Sequence, residues 1–191
     1  SIIPNGRIVR PYGTFVRILP DPFGMALSPD GSFALAIHQN ALTRIKTGNL
    51  AEREKLFPFR KRGSYMGIAI SRDGRRVWLS GGDSGEILKL DLSGKDSVQR
   101  ISLDVPCGGK EWQGSMTGDV RLSPDEKQLY ILDQFNFRMV ILNTENDSLL
   151  NYIPTGRFPL GIDISPDGKR AYVANTGIFD YPLAPGLTPD N

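Results

Sequence analysis

Across 191 residues there is one cysteine, Cys107, and one histidine, His38. A single thiol cannot close an intrachain disulfide, which excludes a disulfide-stapled secreted scaffold and any cysteine zinc site. One histidine lacks the companions that a zinc centre usually gathers. Excess charge of one sign is also absent: 23 basic residues oppose 21 acidic ones, a formal +2, and the basic residues are scattered. That balance leaves no footprint for nucleic acid or for an anionic membrane surface. No apolar run approaches the roughly 18 residues that cross a bilayer, so no membrane span is expected. The start, Ser1-Ile2-Ile3-Pro4, lacks the charged end and apolar stretch of a signal peptide, as a trimmed N-terminus also would. No window carries a capped i, i+3, i+4, i+7 apolar stripe, which argues against helices. Nor does any G-x-x-x-x-G-K-[S/T], G-x-G-x-x-G, G-x-S-x-G or H-E-x-x-H run occur. Phosphate-loop, dinucleotide, hydrolase-elbow and zincin chemistry therefore have no support.

What is present is repetition. Four cores recur: Ser28-Pro29-Asp30-Gly31, Ser71-Arg72-Asp73-Gly74, Ser123-Pro124-Asp125-Glu126 and Ser165-Pro166-Asp167-Gly168. Their serines are 43, 52 and 42 residues apart, and each core has a short apolar run on either side. Proline presets φ in a tight turn, aspartate bonds the amides ahead of it, and glycine accepts positive φ, so each core is a hairpin turn. First strands are expected at 25–28, 66–71, 118–123 and 160–165, and second strands at 33–37, 77–80, 128–132 and 170–174. Third strands are expected at 42–45, 85–92 and 138–142, and fourth strands at 53–57, 97–103 and 149–153. Four antiparallel strands in about 42 residues is the period of a β-propeller blade. Neighbouring residues in "QLYILD" and "MVIL" are apolar on both faces, which suits a sheet sandwiched between two others. The longer interval is assigned to an insertion at 104–118, between one unit's fourth strand and the next unit's first.

The phrases Gly161-Ile162-Asp163-Ile164-Ser165-Pro166-Asp167-Gly168 and Arg170-Ala171-Tyr172-Val173-Ala174-Asn175 closely resemble the YVTN-type β-propeller repeat of bacteria. The resemblance covers 23–177, is strongest in the last unit and is weakest in the first. The segment 2–13 also looks like the start of bacterial proteins in which such a propeller precedes an alkaline-phosphatase-like phosphoesterase domain. Propellers of this family resemble seven-bladed rings. The expected all-β organisation is therefore a leading segment with a closing strand, 1–22, blades over 23–177, and a tail, 178–191, amounting to about three and a half blades. An early strand at 14–19 is expected to complete the final blade of a longer parent. Alone, such a piece exposes apolar sheet, which predicts self-association through its open ends. A self-sufficient four-bladed ring is the competing arrangement.

Site candidates lie on the rim opposite the S-P-D-G turns, around the channel. Second-to-third-strand loops offer His38, Asp83, Asn136 and Asn175. Segments leading into first strands offer Arg60, Lys61, Arg62 and Tyr65, then Trp112, Gln113 and Asp119, then Arg157. His38 reads as an exposed loop histidine, with a ligand contact as the second reading. Asp119 needs a partner just before an apolar strand, and Arg157 or a bound cation would serve. Trp112 walls a pocket or caps a blade, and the 60–62 cluster could greet an anion. Gly82-Asp83-Ser84-Gly85 spells the run around a chymotrypsin-type nucleophile, yet turn composition explains it. Asn146-Asp147-Ser148 fits a glycosylation pattern but reads as an ordinary turn. These readings favour a non-catalytic propeller segment, without cofactor, that binds a ligand or protein within a larger exported bacterial protein, periplasmic or extracellular by the resemblance. The alternatives are a lactonase-like hydrolase with calcium or magnesium at the channel mouth, the propeller part of a bifunctional phosphoesterase, and a surface-adhesion role.

Overall fold

The computed structural model describes residues 13–39, 41–56, 66–93 and 98–177. They form fourteen strands in four antiparallel sheets. The first sheet holds β1 (Pro22–Leu27), β2 (Phe33–His38), β3 (Ala41–Lys46) and β4 (Arg53–Leu56). The second holds β5 (Ile68–Ile70), β6 (Arg76–Ser80), β7 (Glu86–Asp91) and β8 (Val98–Ser102). The third holds β9 (Thr117–Leu122), β10 (Gln128–Asp133), β11 (Arg138–Asn143) and β12 (Leu149–Pro154). The fourth is the hairpin of β13 (Pro159–Ile164) and β14 (Ala171–Asn175). Each sheet pairs its strands in chain order, and the first strands β1, β5, β9 and β13 pack one against the next. This is the arrangement of successive propeller blades, three complete and one begun.

The repeated core folds the same way each time. The serine hydroxyl donates to the aspartate two residues on, at 2.7, 2.5, 2.6 and 2.6 Å in the four copies. The same oxygen accepts the amide that opens the second strand, Phe33, Arg76, Gln128 or Arg170, at 2.9 to 3.0 Å. The fourth position needs left-handed backbone: Gly31, Gly74 and Gly168 have φ of 70 to 72°, and Glu126 adopts φ 60° in the third copy. A side chain there costs on the order of 1 kcal/mol. Glu126 offsets this by accepting the backbone amide of Arg72 from the neighbouring blade.

Both faces of the inner sheets are buried, as their apolar pattern requires. Leu35, Ile37 and Leu42 of the first sheet meet Val77, Leu79 and Leu88 of the second. The other face of the second sheet, with Trp78 and Ile87, meets Leu129, Ile131 and Val140 of the third. Leu132, Met139 and Tyr130 then meet Ile162, Ile164 and Val173. Where first strands approach, glycine is a steric requirement. A Cβ on Gly24 would lie 2.2 Å from the Met66 carbonyl oxygen, and one on Gly67 would lie 2.4 Å from that of Gly118.

Residues 14–19 join no ladder. Arg17, Ile18 and Leu19 instead share a cavity of about 350 Å³ with Thr43 and with Arg53, Glu54 and Lys55 of β4. The segment therefore lies beside the first sheet, without a strand partner for its backbone among the described residues.

Candidate functional site

The rim opposite the S-P-D-G turns is organised around a buried ion pair. In the hairpin of β10 and β11, Asp133 and Arg138 face each other directly, and their side chains are 0% and 1% exposed. Arg138 donates from Nε to Asp133 Oδ2 at 2.8 Å and from Nη2 to the Leu103 carbonyl at 3.0 Å and Ser115 Oγ at 3.2 Å. Asp133 Oδ1 accepts the Met116 amide at 3.1 Å. A charge pair so dry depends on partners for its remaining groups: the insertion supplies Ser115 and Met116, Leu103 and Asn136 supply others, and the buried Arg138 Nη1 has no hydrogen-bond partner.

The insertion at 104–118 is an ordered clasp. Asp104 accepts the amides of Gly114 and Ser115 at 3.1 and 3.0 Å, and Cys107 and Lys110 exchange backbone bonds. Trp112 donates its indole N–H to the Cys107 carbonyl at 3.1 Å. Its ring stacks on the Arg138 guanidinium, 3.8 Å from Cζ to centroid, and meets Tyr152 edge-on at 4.8 Å. Asn136 donates to Asp133 Oδ2 at 2.9 Å, Ser115 Oγ at 3.2 Å and the Gln113 carbonyl at 3.3 Å. Of the sequence-derived candidates, Trp112, Gln113 and Asn136 are thus brought together. The residues they converge on, Asp133 and Arg138, were not among the candidates.

Two candidates behave otherwise than expected. His38 is buried, 3% exposed, and ends β2 instead of standing in a loop. Its Nδ1 lies 2.8 Å from the Pro20 carbonyl and its Nε2 lies 2.9 Å from Thr43 Oγ1. A carbonyl only accepts, so Nδ1 carries the proton and ties the leading segment to the first sheet. Asp119 finds an arginine partner within its own strand. Its Oδ1 accepts from Arg121 Nη1 at 2.9 Å, and its Oδ2 accepts the Ile162 amide of the next blade at 3.2 Å. Four residues before each motif serine stand Gly24, Gly67, Asp119 and Gly161, so Asp119 replaces a glycine with a cross-blade strut.

The rest are surface groups. Asp83 and Arg157 are exposed, as is Asn175, whose Nδ2 reaches the Val173 carbonyl at 3.3 Å. Gly82-Asp83-Ser84-Gly85 is a turn, with Gly82 and Gly85 at φ 62° and 64° and the Ser84 hydroxyl donating to the Gly81 carbonyl. Arg60, Lys61, Arg62 and Tyr65 lie outside the described residues. Among the described residues no three His, Cys, Asp or Glu side chains gather as a metal-holding group.

No family model and no curated protein matches the chain. Solved structures do. A Kuenenia stuttgartiensis hydrazine synthase aligns at TM-score 0.67 and 20% identity over 91% of this chain and 47% of its own. The Pseudomonas aeruginosa periplasmic gluconolactonase aligns at 0.62 and 23% over 81% and 47%. A Bacteroides uniformis protein provisionally assigned as a 6-phosphogluconolactonase aligns at 0.62 and 22% over 91% and 56%. The fold is a β-propeller. The chain spans about half the length of the solved chains it matches, and at these identities the likeness concerns the fold alone.

Proposed function

We propose that the chain is a non-catalytic β-propeller segment that recognises a ligand or a protein partner, as part of a larger exported bacterial protein. One observation supports this above the others. The rim groups best placed for chemistry are engaged with one another: Asp133, Arg138 and Asn136 bond among themselves under Trp112. His38 and Asp119 are likewise committed to structural partners. What remains for contact is the outer surface of the clasp, where Lys110 and Glu111 are exposed beside the half-buried Trp112. A rigid aromatic and charged loop on a scaffold is a common form of recognition surface. The exported setting rests on the resemblance of segment 2–13 to bacterial propeller proteins.

The competing reading is a lactonase-like hydrolase, favoured by the gluconolactonase among the structural neighbours. Its divalent cation would need oxygen ligands from Asp83, Asp119, Asn136 and Asn175. These residues do not fit that role together. The Asp119 carboxylate already accepts from Arg121 and Ile162, and Asn136 directs its amide donor at Asp133. The deciving assay is hydrolysis of glucono-1,5-lactone with and without calcium or magnesium, run beside thermal melts in the same ions. The expected result is no rate above buffer and no shift in melting temperature. Cation-dependent turnover lost in Asp119→Asn would overturn the scaffold reading.

A further inference from the structure

On the opposite rim, the S-P-D-G turns touch their neighbours across each seam between sheets. Between the second and third sheets Arg72 reaches over, donating to the Pro124 carbonyl at 2.9 Å, and Lys89 pairs with Asp147 at 2.7 Å. Between the third and fourth, Pro124 packs against Gly168, where a Cβ would lie 3.3 Å from the proline ring. The first seam, like the third, carries a proline and a glycine at these positions, Pro29 and Gly74, and so lacks the bridging arginine and the glutamate acceptor of the second. What is left there is a cavity of about 340 Å³ lined by Asp30, Phe33, Arg44, Arg72, Asp73 and Arg75, among others.

We propose that this cavity binds a small oxyanion, a phosphate or carboxylate group, held between the guanidinium groups of Arg44 and Arg75. The size is that of a small-molecule site. Arg44 comes from β3, its guanidinium lies 4.3 Å over the Phe33 ring, and its buried Nε has no hydrogen-bond partner. Arg75 is exposed at the mouth. The carboxylates nearby already have partners: Asp30 accepts from Ser28 and Ser32, Asp73 from Ser71 and the Arg75 amide, and Asp91 from the Ser93 amide and hydroxyl. Asp30 and Asp73 also line the cavity, and Arg75 shares its charge with Asp73 and Asp91, so an oxyanion binds only by taking two guanidinium partners at once, which outweighs this repulsion.

The site is distant in the chain from the clasp and does not depend on it. Calorimetric titration of the full chain with inorganic phosphate, and separately with succinate, at constant ionic strength tests it. Saturable binding is expected, weakened roughly tenfold or more by Arg75→Ala, an exposed position that leaves folding intact. Arg44→Gln should weaken it similarly. Pro29→Arg, which copies the second blade's bridging arginine into the first, should fill the seam and abolish it. Arg170→Ala, on the fourth blade, should change nothing. Phosphate bound without succinate, or the reverse, identifies the oxyanion. Absence of saturable binding to both, or equal affinity in Arg75→Ala and the parent, overturns the proposal and leaves the scaffold reading of the other rim untouched.

Discussion

Arg138 shows how a side chain can look ordinary in sequence and yet be essential in the fold. Read along the chain it is the polar first residue of an apolar strand, and Asp133 is the polar last residue of another. Only the hairpin register, which sets Asp133 directly across from Arg138, reveals the pair. The same rim position in the second blade is taken by Gly81 and Glu86, and in the first by His38 across from Ala41, so no repeated charge pattern advertised it. The sequence did mark Trp112 and Asn136, because an aromatic and an amide in turn-rich segments stand out, and both proved to be the pair's neighbours. Removing one partner of a buried pair leaves an uncompensated charge. Arg138→Ala is therefore expected to lower unfolding free energy by about 3 to 5 kcal/mol in urea titrations. Asn175→Ala, at an exposed rim position, should stay within about 0.5 kcal/mol of the parent. Equal, small losses at both positions would mean that the clasp is not what holds this rim.

At the scale of the element, the S-P-D-G hairpin was the most legible feature, because its chemistry is local. The strand on each side was found to within three residues, whereas the segment 14–19 has no ladder partner among the described strands, since the blade it is expected to complete is not one of these four sheets. The turn also predicts a pH response. Asp30 is lowered from 3.8 to about 2, first by the Ser28 hydroxyl bond and then by Ser32. Asp73, Asp125 and Asp167 are lowered in the same direction, each chiefly by its own motif serine. A carboxyl group depressed in the folded state binds protons more readily when unfolded, so its stabilisation is complete above the ordinary value and disappears as pH falls through the folded value. Stability should thus decline as pH drops from about 4 to about 2. A quadruple Asp→Asn variant at these positions should be less stable at neutral pH and flatter across that acid window in denaturant titrations. An unchanged acid slope in that variant would show that other carboxyl groups govern it.

For the whole molecule, the repeat period and two-sided apolar strands carried the architecture from sequence to structure, since a sheet buried on both faces must have a sheet on each side. The terminal sheets make the converse point. On β1, Gly24 and Ala26 face the second sheet, while Phe23, Met25 and Leu27 on the other face are 45, 71 and 60% exposed. At the other end Tyr172 of β14 is 58% exposed. These are the surfaces that blade packing covers in the inner sheets, where Trp78, Leu88 and Ile131 are fully buried. The arc therefore presents two apolar ends, each shaped for another sheet. The most direct test is light scattering of the 191-residue chain over a concentration series, with an anilinonaphthalene dye as a probe of exposed apolar surface. The account predicts species of at least twice the 21.1 kDa chain mass at higher concentration, and dye binding that falls as they form. A single 21.1 kDa species at every concentration that binds no dye would contradict it.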